Sequence, residues 1–133
     1  MPTVLETFSE SLERCLAVPG FVSTFYVRLL GSSEEIKEKF SYTNFDEQQH
    51  RLAGSLRVLP HVMTGEQDAL RHLTAVAESH SRVNRNIRPE LYSLWQDILM
   101  MTVEETDPNC SEEVMAAWQA ITDDAVQFMV HRY

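Results

Sequence analysis

Histidine is the most chemically versatile of the inward-facing side chains that this sequence predicts, because a neutral imidazole can accept a proton or bind a metal ion. His80 ends an apolar stripe that covers an arc of roughly 80° on one helix face. The other members of the stripe are Leu70, Leu73 and Ala77. A ring that faces the interior needs a partner there, since an unpaired buried polar group costs free energy. His80 is therefore either a hydrogen-bonded core residue or a ligand.

Two further polar side chains are predicted to face the interior, on two other helices. Tyr26 lies inside the apolar face of its helix, so its hydroxyl is expected to be buried. Gln48 shares one face, within about 100°, with a row of apolar residues that begins at Leu52. Both side chains need polar partners in the interior.

The first three predicted helices are separated by turn and capping residues. Apolar residues recur at helical spacing over 5–16 until Pro19-Gly20, and again over 21–30. Ser32 with Glu35 resembles a capping box. It predicts a short third helix with the sequence EEIKEKF.

The next two helices carry Gln48 and His80. Asp46 is predicted to open the first of them, and Pro60 to kink or locally break it, since proline removes one backbone donor and crowds the preceding turn. Thr64 with Gln67 is predicted to cap the second.

The remaining sequence also predicts helices. The polar segment 81–86, SRVNRN, is typical of a loop, and Pro89 is well placed in the first turn of the helix that follows. Ser111 is predicted to cap a last helix. No segment alternates apolar and polar residues, no hairpin dipeptide such as Asn-Gly occurs, and the chain has only 4 glycines. The sequence therefore predicts an all-α fold.

Length and composition limit the possible functions. A chain of 133 residues with 44% hydrophobic content predicts one domain over 1–133. The net charge of -9 argues against a nucleic-acid or anionic-membrane partner, because either would need a clustered basic surface. The sequence has neither a long apolar run nor the pattern of a signal peptide, which predicts a cytoplasmic protein. Cys15 and Cys110 lack partners at motif spacing and are predicted to be packed thiols.

Several segments in order along the chain resemble one protein family. These are FVSTFYVRLL with Tyr26, KEKF, DEQQHRL with Gln48, then His80 and RPELY. Together they resemble the bacterial single-domain globins and the globin part of flavohaemoglobins, over nearly the whole chain. The resemblance implies an all-α globin fold, a three-on-three helical sandwich around a haem pocket. The sequence has no C-x-x-C-H motif, so haem b would be held non-covalently.

The resemblance also implies roles for particular residues. His80 matches the proximal ligand of the haem iron, and Tyr26 and Gln48 match the residues that face a bound gas; Gln49 replaces Gln48 if the register slips by one. Three further cofactor contacts are implied: Phe40 packing on the porphyrin, Leu52 one turn beyond Gln48, and Tyr92 after the proximal loop. One or two cations could meet the haem propionates, from the set His50, Arg51, Arg82, Arg85 and Arg88.

These roles imply reversible binding of dioxygen, and of nitric oxide and carbon monoxide. A hydroxyl and an amide can donate hydrogen bonds to a partly negative ligand, which slows its release. An alternative is a nitric oxide dioxygenase, an enzyme that would need a separate reductase as partner. Another is a globin-fold gas-sensing or scaffold module. The segment between His80 and RPELY is longer than in most flavohaemoglobin-type globins, so the proximal loop is expected to have a different shape.

Overall fold

The chain folds into helices joined by short turns. The computed structural model describes residues 2–133, and that part of the chain contains seven helices and no strand. The helices are α1 (Val4–Ala17), α2 (Phe21–Ser32), α3 (Glu34–Lys39), α4 (Phe45–Met63), α5 (Gln67–His80), α6 (Pro89–Thr106) and α7 (Glu112–His131). The all-α prediction is confirmed, and 81–88 is a loop between α5 and α6.

Side chains that accept hydrogen bonds from the first turn begin several helices. Thr3 forms a capping box with Glu6 at α1. Ser111 accepts from the Val114 amide at α7, which confirms the predicted cap of the last helix. At α4 the cap is Asn44, so this helix begins one residue before Asp46.

Two predicted caps are wrong. Ser32 belongs to the last turn of α2, where its hydroxyl donates to the Leu29 carbonyl at 2.6 Å, and Ser33 caps α3 instead. Thr64 ends α4 rather than beginning α5, because its amide bonds back to the Pro60 carbonyl at 3.3 Å. The N-cap position of α5 is occupied by Glu66, whose side chain makes no capping hydrogen bond.

The predicted break at Pro60 is absent. Helix α4 runs through this residue and ends at Met63. Pro60 lies in the last turn of α4, three residues before its end. The backbone hydrogen bond that proline cannot donate is therefore lost where few helical residues follow.

A buried polar cluster connects α1 to the end of α6 and to α7. Asp107, whose side chain is fully buried, accepts hydrogen bonds from the Ser11 hydroxyl at 2.6 Å and from Arg14 Nε at 2.7 Å and Nη2 at 2.9 Å. The indole nitrogen of Trp118 donates to the Ser11 hydroxyl at 2.9 Å. The Phe8 ring lies 4.6 Å from the Trp118 ring, between centroids. Every group of the cluster is paired, so the burial of its charge is compensated.

Two further features concern the cysteines and the length of the helices. Cys15 is buried and Cys110 half-buried, and both thiols are free, as predicted. No single helix within 2–133 is long and apolar enough to span a membrane; α1 and α2 reach that length and composition only as a pair bent by 92°.

Candidate functional site

The helices enclose a cavity of about 280 Å³, and all six residues predicted to contact a cofactor line it. They are Tyr26, Phe40, Gln48, Leu52, His80 and Tyr92. Most of the remaining wall is apolar, with Leu29, Ile36, Leu56, Leu59, Leu73, Val76, Ile87, Leu91, Trp95, Val126 and Met129. Gln48 is one of the described wall residues of this cavity, and Gln49 is not. The structure therefore brings together residues that lie far apart in sequence.

His80 is the last residue of α5 and lines the cavity beside Tyr92. The Tyr92 hydroxyl lies 3.4 Å from Nδ1. Burial, with a smaller contribution from the Arg85 charge, lowers the pKa of His80 to about 4, so the imidazole is neutral at pH 7. Burial also raises the pKa of Tyr92 to about 12, which keeps the phenol protonated.

The second ring nitrogen of His80 is open. Over residues 2–133 no hydrogen bond to Nε2 is present, and no buried side-chain nitrogen or oxygen lacks a partner. Nε2 is therefore accessible rather than enclosed, and His80 is a cavity-lining residue. A neutral imidazole nitrogen of this kind is a good ligand for a transition metal.

A second polar pair lines the cavity from α2 and α4. The Gln48 amide nitrogen donates to the Tyr26 hydroxyl oxygen at 3.1 Å. Burial raises the pKa of Tyr26 to about 12, and the hydrogen bond from Gln48 offsets only part of this increase. Because Gln48 uses the phenol oxygen as an acceptor, the phenol proton remains available for a ligand in the cavity.

Aromatic rings surround Tyr26 and restrict its position. The Phe40 and Phe45 rings lie 5.8 Å and 5.6 Å from the Tyr26 ring, and Phe25 lies at 5.1 Å. Such edge contacts are favourable and leave the phenol few alternative orientations. Phe45 was not singled out from the sequence as a site residue. The signal for it was its place directly after the SYTN turn that follows Phe40.

Three cations reach the wall of the cavity. Arg51 and Arg85 belong to the predicted set, whereas Lys39 was missed. The Lys39 ammonium donates to the Arg85 carbonyl at 3.1 Å, which joins α3 to the loop 81–88. The signal for Lys39 was its position directly before Phe40 in KEKF.

The other members of the predicted cation set are not among the described wall residues. Arg88 is paired with Glu35 at 2.5 Å and 2.8 Å, and the His50 ring bonds the Asp46 carbonyl at 2.7 Å. Arg82 instead lies over the Tyr133 ring.

Comparison with known proteins identifies the family. The Globin family model matches residues 23–129, so the chain belongs to the globin family. Its structure superposes with a TM-score of 0.91 and 35% identity, over 98% of each chain, on the crystal structure of a Pseudomonas aeruginosa PAO1 protein described as structurally highly homologous to a human hemoglobin. An uncharacterized globin-like protein of Aquifex aeolicus (strain VF5) is 30% identical over 98 residues, which cover 74% of this chain and 68% of that protein. The predicted globin fold is confirmed.

Proposed function

We propose that this globin binds haem b non-covalently through His80 and then binds dioxygen reversibly, as well as nitric oxide and carbon monoxide. The observation that carries the proposal is that His80, whose Nε2 has no hydrogen-bond partner within 2–133, lines the same cavity as the hydrogen-bonded pair Tyr26 and Gln48. When bound, haem iron supplies the coordination position at which a diatomic gas binds.

The donor set fits haem better than a metal ion held by protein ligands alone. No group of three or more His, Cys, Asp or Glu side chains that could hold a metal ion occurs in the described chain. A single imidazole would leave most coordination positions of an iron ion unfilled, and a porphyrin supplies four nitrogens. His80 offers the one further nitrogen that this arrangement needs, and its lowered pKa keeps the ring from carrying a second proton at pH 7.

The wall of the cavity fits a flat apolar ring with two carboxylates. Leucine, isoleucine, valine and aromatic side chains form most of it, with Phe40 and Leu52 among them. Lys39, Arg51 and Arg85 supply positive charge, which suits propionate groups. With haem bound, a mostly apolar wall would limit the access of water to the iron and so slow the loss of dioxygen as superoxide.

Tyr26 and Gln48 would favour dioxygen over less polar gases. Tyr26 can donate its phenol proton to a partly negative ligand while Gln48 holds the phenol oxygen. Charge-assisted hydrogen bonds of this type are stronger than neutral ones in a poorly hydrated site. The pair would therefore lengthen the residence of dioxygen.

An absorption spectrum of the purified protein, oxidised and then reduced, tests the proposal. A Soret band with one haem per chain is expected, and the reduced protein should change its spectrum with dioxygen and with carbon monoxide. Protein that shows no Soret band even after addition of haem would contradict haem binding. That result would favour a scaffold module without cofactor. The polar side chains of Tyr26, Gln48 and His80 in the cavity wall argue against such a module, whose pocket would be filled by apolar side chains.

A second candidate function is oxidation of nitric oxide to nitrate. The same Tyr26–Gln48 pair supports it, since the reaction requires dioxygen to stay in the cavity until nitric oxide arrives. Turnover would require a separate reductase as electron donor. Sustained consumption of nitric oxide with a reductase present, against a single turnover without it, distinguishes the enzyme from a reversible carrier. A gas-sensing role would instead require a partner that responds to the bound gas.

A further inference from the structure

Helix α3 is short and forms part of the cavity wall. Ile36 and Lys39 belong to it, Phe40 follows it directly, and all three line the cavity. A helix of 6 residues is unstable by itself in water, because too few hydrogen bonds offset the cost of its first turn. Ile36 carries the one buried side chain of α3. The position of α3 therefore depends on contacts with the rest of the protein.

An ion pair joins the start of α3 to the start of α6. Arg88, at the N-cap position of α6, binds both carboxylate oxygens of Glu35, with Nε at 2.8 Å and Nη2 at 2.5 Å. Two parallel hydrogen bonds of this kind fix the orientation of both side chains. Nη1 of Arg88 also donates to Glu90 at 3.0 Å, which holds the guanidinium against α6. Glu35 is thus paired with a side chain that α6 keeps in place.

A second polar contact lies at the other end of α3. The Lys39 ammonium donates to the Arg85 carbonyl at 3.1 Å. Lys39 and Phe40 line the cavity on one side of this contact, and Arg85 and Ile87 line it on the other. Movement of α3 away from the segment 85–88 would therefore open the cavity to solvent between them.

We propose that residues 34–44, which are α3 and the turn after it, form a lid over the cavity, and that the Arg88–Glu35 ion pair holds this lid closed. Tyr42 in the turn is fully exposed, so its side chain does not anchor the lid. A porphyrin is a rigid ring that needs a wide opening to enter, and opening of the lid supplies one. This role towards haem rests on the proposed function, whereas the ion pair that holds α3 is a property of the protein itself.

Two single variants and their combination test the ion pair. Arg88→Gln and Glu35→Gln each remove one charge and keep most of the side chain, and the double variant completes a mutant cycle. The matched control is Arg57→Gln. Arg57 binds both carboxylate oxygens of Glu13 at 2.9 Å and 3.0 Å, between α4 and α1, and neither residue is among the described wall residues of the cavity.

Amide hydrogen exchange in the haem-free protein is the first measurement. The Lys37 amide, which bonds the Ser33 carbonyl at 3.0 Å, reports the opening of α3. Its exchange is expected to become about threefold faster in each single variant and no faster in the double variant, because the same ion pair is lost in all three. Salt at about 0.5 M should speed the wild-type exchange in the same way, since it screens an exposed pair.

The control decides whether the effect is local to the lid. Arg57→Gln should leave the exchange of the Lys37 amide unchanged. Unchanged exchange in both Arg88→Gln and Glu35→Gln, or single effects that multiply in the double variant, would overturn the proposal.

The rates of porphyrin uptake and loss are the second measurement. Stopped-flow mixing with hemin, or with metal-free protoporphyrin, gives the uptake rate, and transfer to an excess of a second haem-binding apoprotein gives the rate of loss. Both rates are expected to rise about threefold in Arg88→Gln and in Glu35→Gln, because the lid is open more often in each variant, and to stay unchanged in Arg57→Gln.

The two single variants also separate a lid from a direct contact with the cofactor. Faster loss in Arg88→Gln alone, without faster uptake, would show that Arg88 binds a propionate and would overturn the lid. Unchanged rates in both variants, with a wild-type chain that takes up hemin, would overturn the role towards haem alone. If the wild-type chain takes up neither hemin nor protoporphyrin, the proposed function fails, and the exchange measurement still decides whether the ion pair holds α3.

Discussion

The Tyr92 hydroxyl lies 3.4 Å from Nδ1 of His80, and the two residues stand at facing ends of successive helices. Nδ1 is thereby directed at Tyr92, and Nε2 has no hydrogen-bond partner within residues 2–133. A hydrogen bond at the ring nitrogen that does not bind a metal orients a histidine ligand and tunes its basicity. A phenol is a weaker acceptor than a carboxylate, so His80 retains the character of a neutral imidazole.

Replacing His80 should remove haem binding while leaving the fold intact. In His80→Ala the haem affinity is expected to fall by about 100-fold or more, since loss of the ligand should cost more than loss of a residue that merely supports one. Helical circular dichroism should be retained, and free imidazole should restore part of the binding. His131→Ala is the matched control, because His131 is exposed on α7. An unchanged spectrum of the reduced His80→Ala protein would contradict the assignment.

Replacing Tyr26 should change gas release selectively. Tyr26→Phe keeps the ring among Phe25, Phe40 and Phe45 but removes the phenol proton. Dioxygen dissociation is expected to become about tenfold faster, which corresponds to the loss of one hydrogen bond. Carbon monoxide carries less negative charge when bound, so its dissociation should change much less. Equal dioxygen off-rates in variant and wild type, measured by rapid mixing, would exclude the hydroxyl from ligand binding.

The haem-free protein should lose stability on mild acidification because of His80. Its pKa is about 4 in the folded state and near 6.5 when unfolded, so the unfolded state binds the proton more tightly. The stability is fully present above pH 6.5 and is lost as the pH falls towards 4. Between pH 7 and pH 5 the loss is about 2 kcal/mol.

Urea unfolding of wild type and His80→Leu at both pH values isolates this contribution. Other groups titrate equally in the two proteins, so wild type should lose about 2 kcal/mol more stability than His80→Leu between pH 7 and pH 5. If the two proteins lose equal stability between pH 7 and pH 5, His80 is not the responsible group.

Asp107, the buried carboxylate at the end of α6, should contribute more to stability than an exposed carboxylate does. Asp107→Ala leaves the Ser11 hydroxyl and the Arg14 guanidinium without their partner, and is expected to cost about 3 kcal/mol. Asp68→Ala removes an exposed pair with Arg71 at 3.2 Å and should cost less than about 0.5 kcal/mol. Chemical denaturation of both variants checks the comparison; equal midpoints would show that the cluster contributes nothing specific.

Local sequence patterns predicted the helices and the side chains that face inward from them. The period of 3.6 residues placed Tyr26, Gln48 and His80 on inward faces, and all three line one cavity. Their roles at a cofactor stay predictions. The caps at Ser32 and Thr64 failed because both residues have capping chemistry, and the choice between adjacent positions depends on where the preceding helix ends.

Contacts between distant segments could not be predicted in the same way. Lys39 reaches the cavity because α3 lies beside the loop 81–88, and Tyr133 reaches Asn86 because the end of α7 meets that loop. Neither arrangement leaves a periodic signal in either segment. Both depend on how helices are placed in space, which the apolar stripes determine only collectively.

Helix α1 lies before the segment that matches the family model, yet it contributes two contacts to Trp118. The Phe8 ring packs against the Trp118 ring, and the Ser11 hydroxyl accepts a hydrogen bond from the Trp118 indole nitrogen. Part of the core around Trp118 therefore lies outside the segment that the family model matches. Removal of residues 1–22 would expose the fully buried Trp118 indole to water and shift its fluorescence to the red.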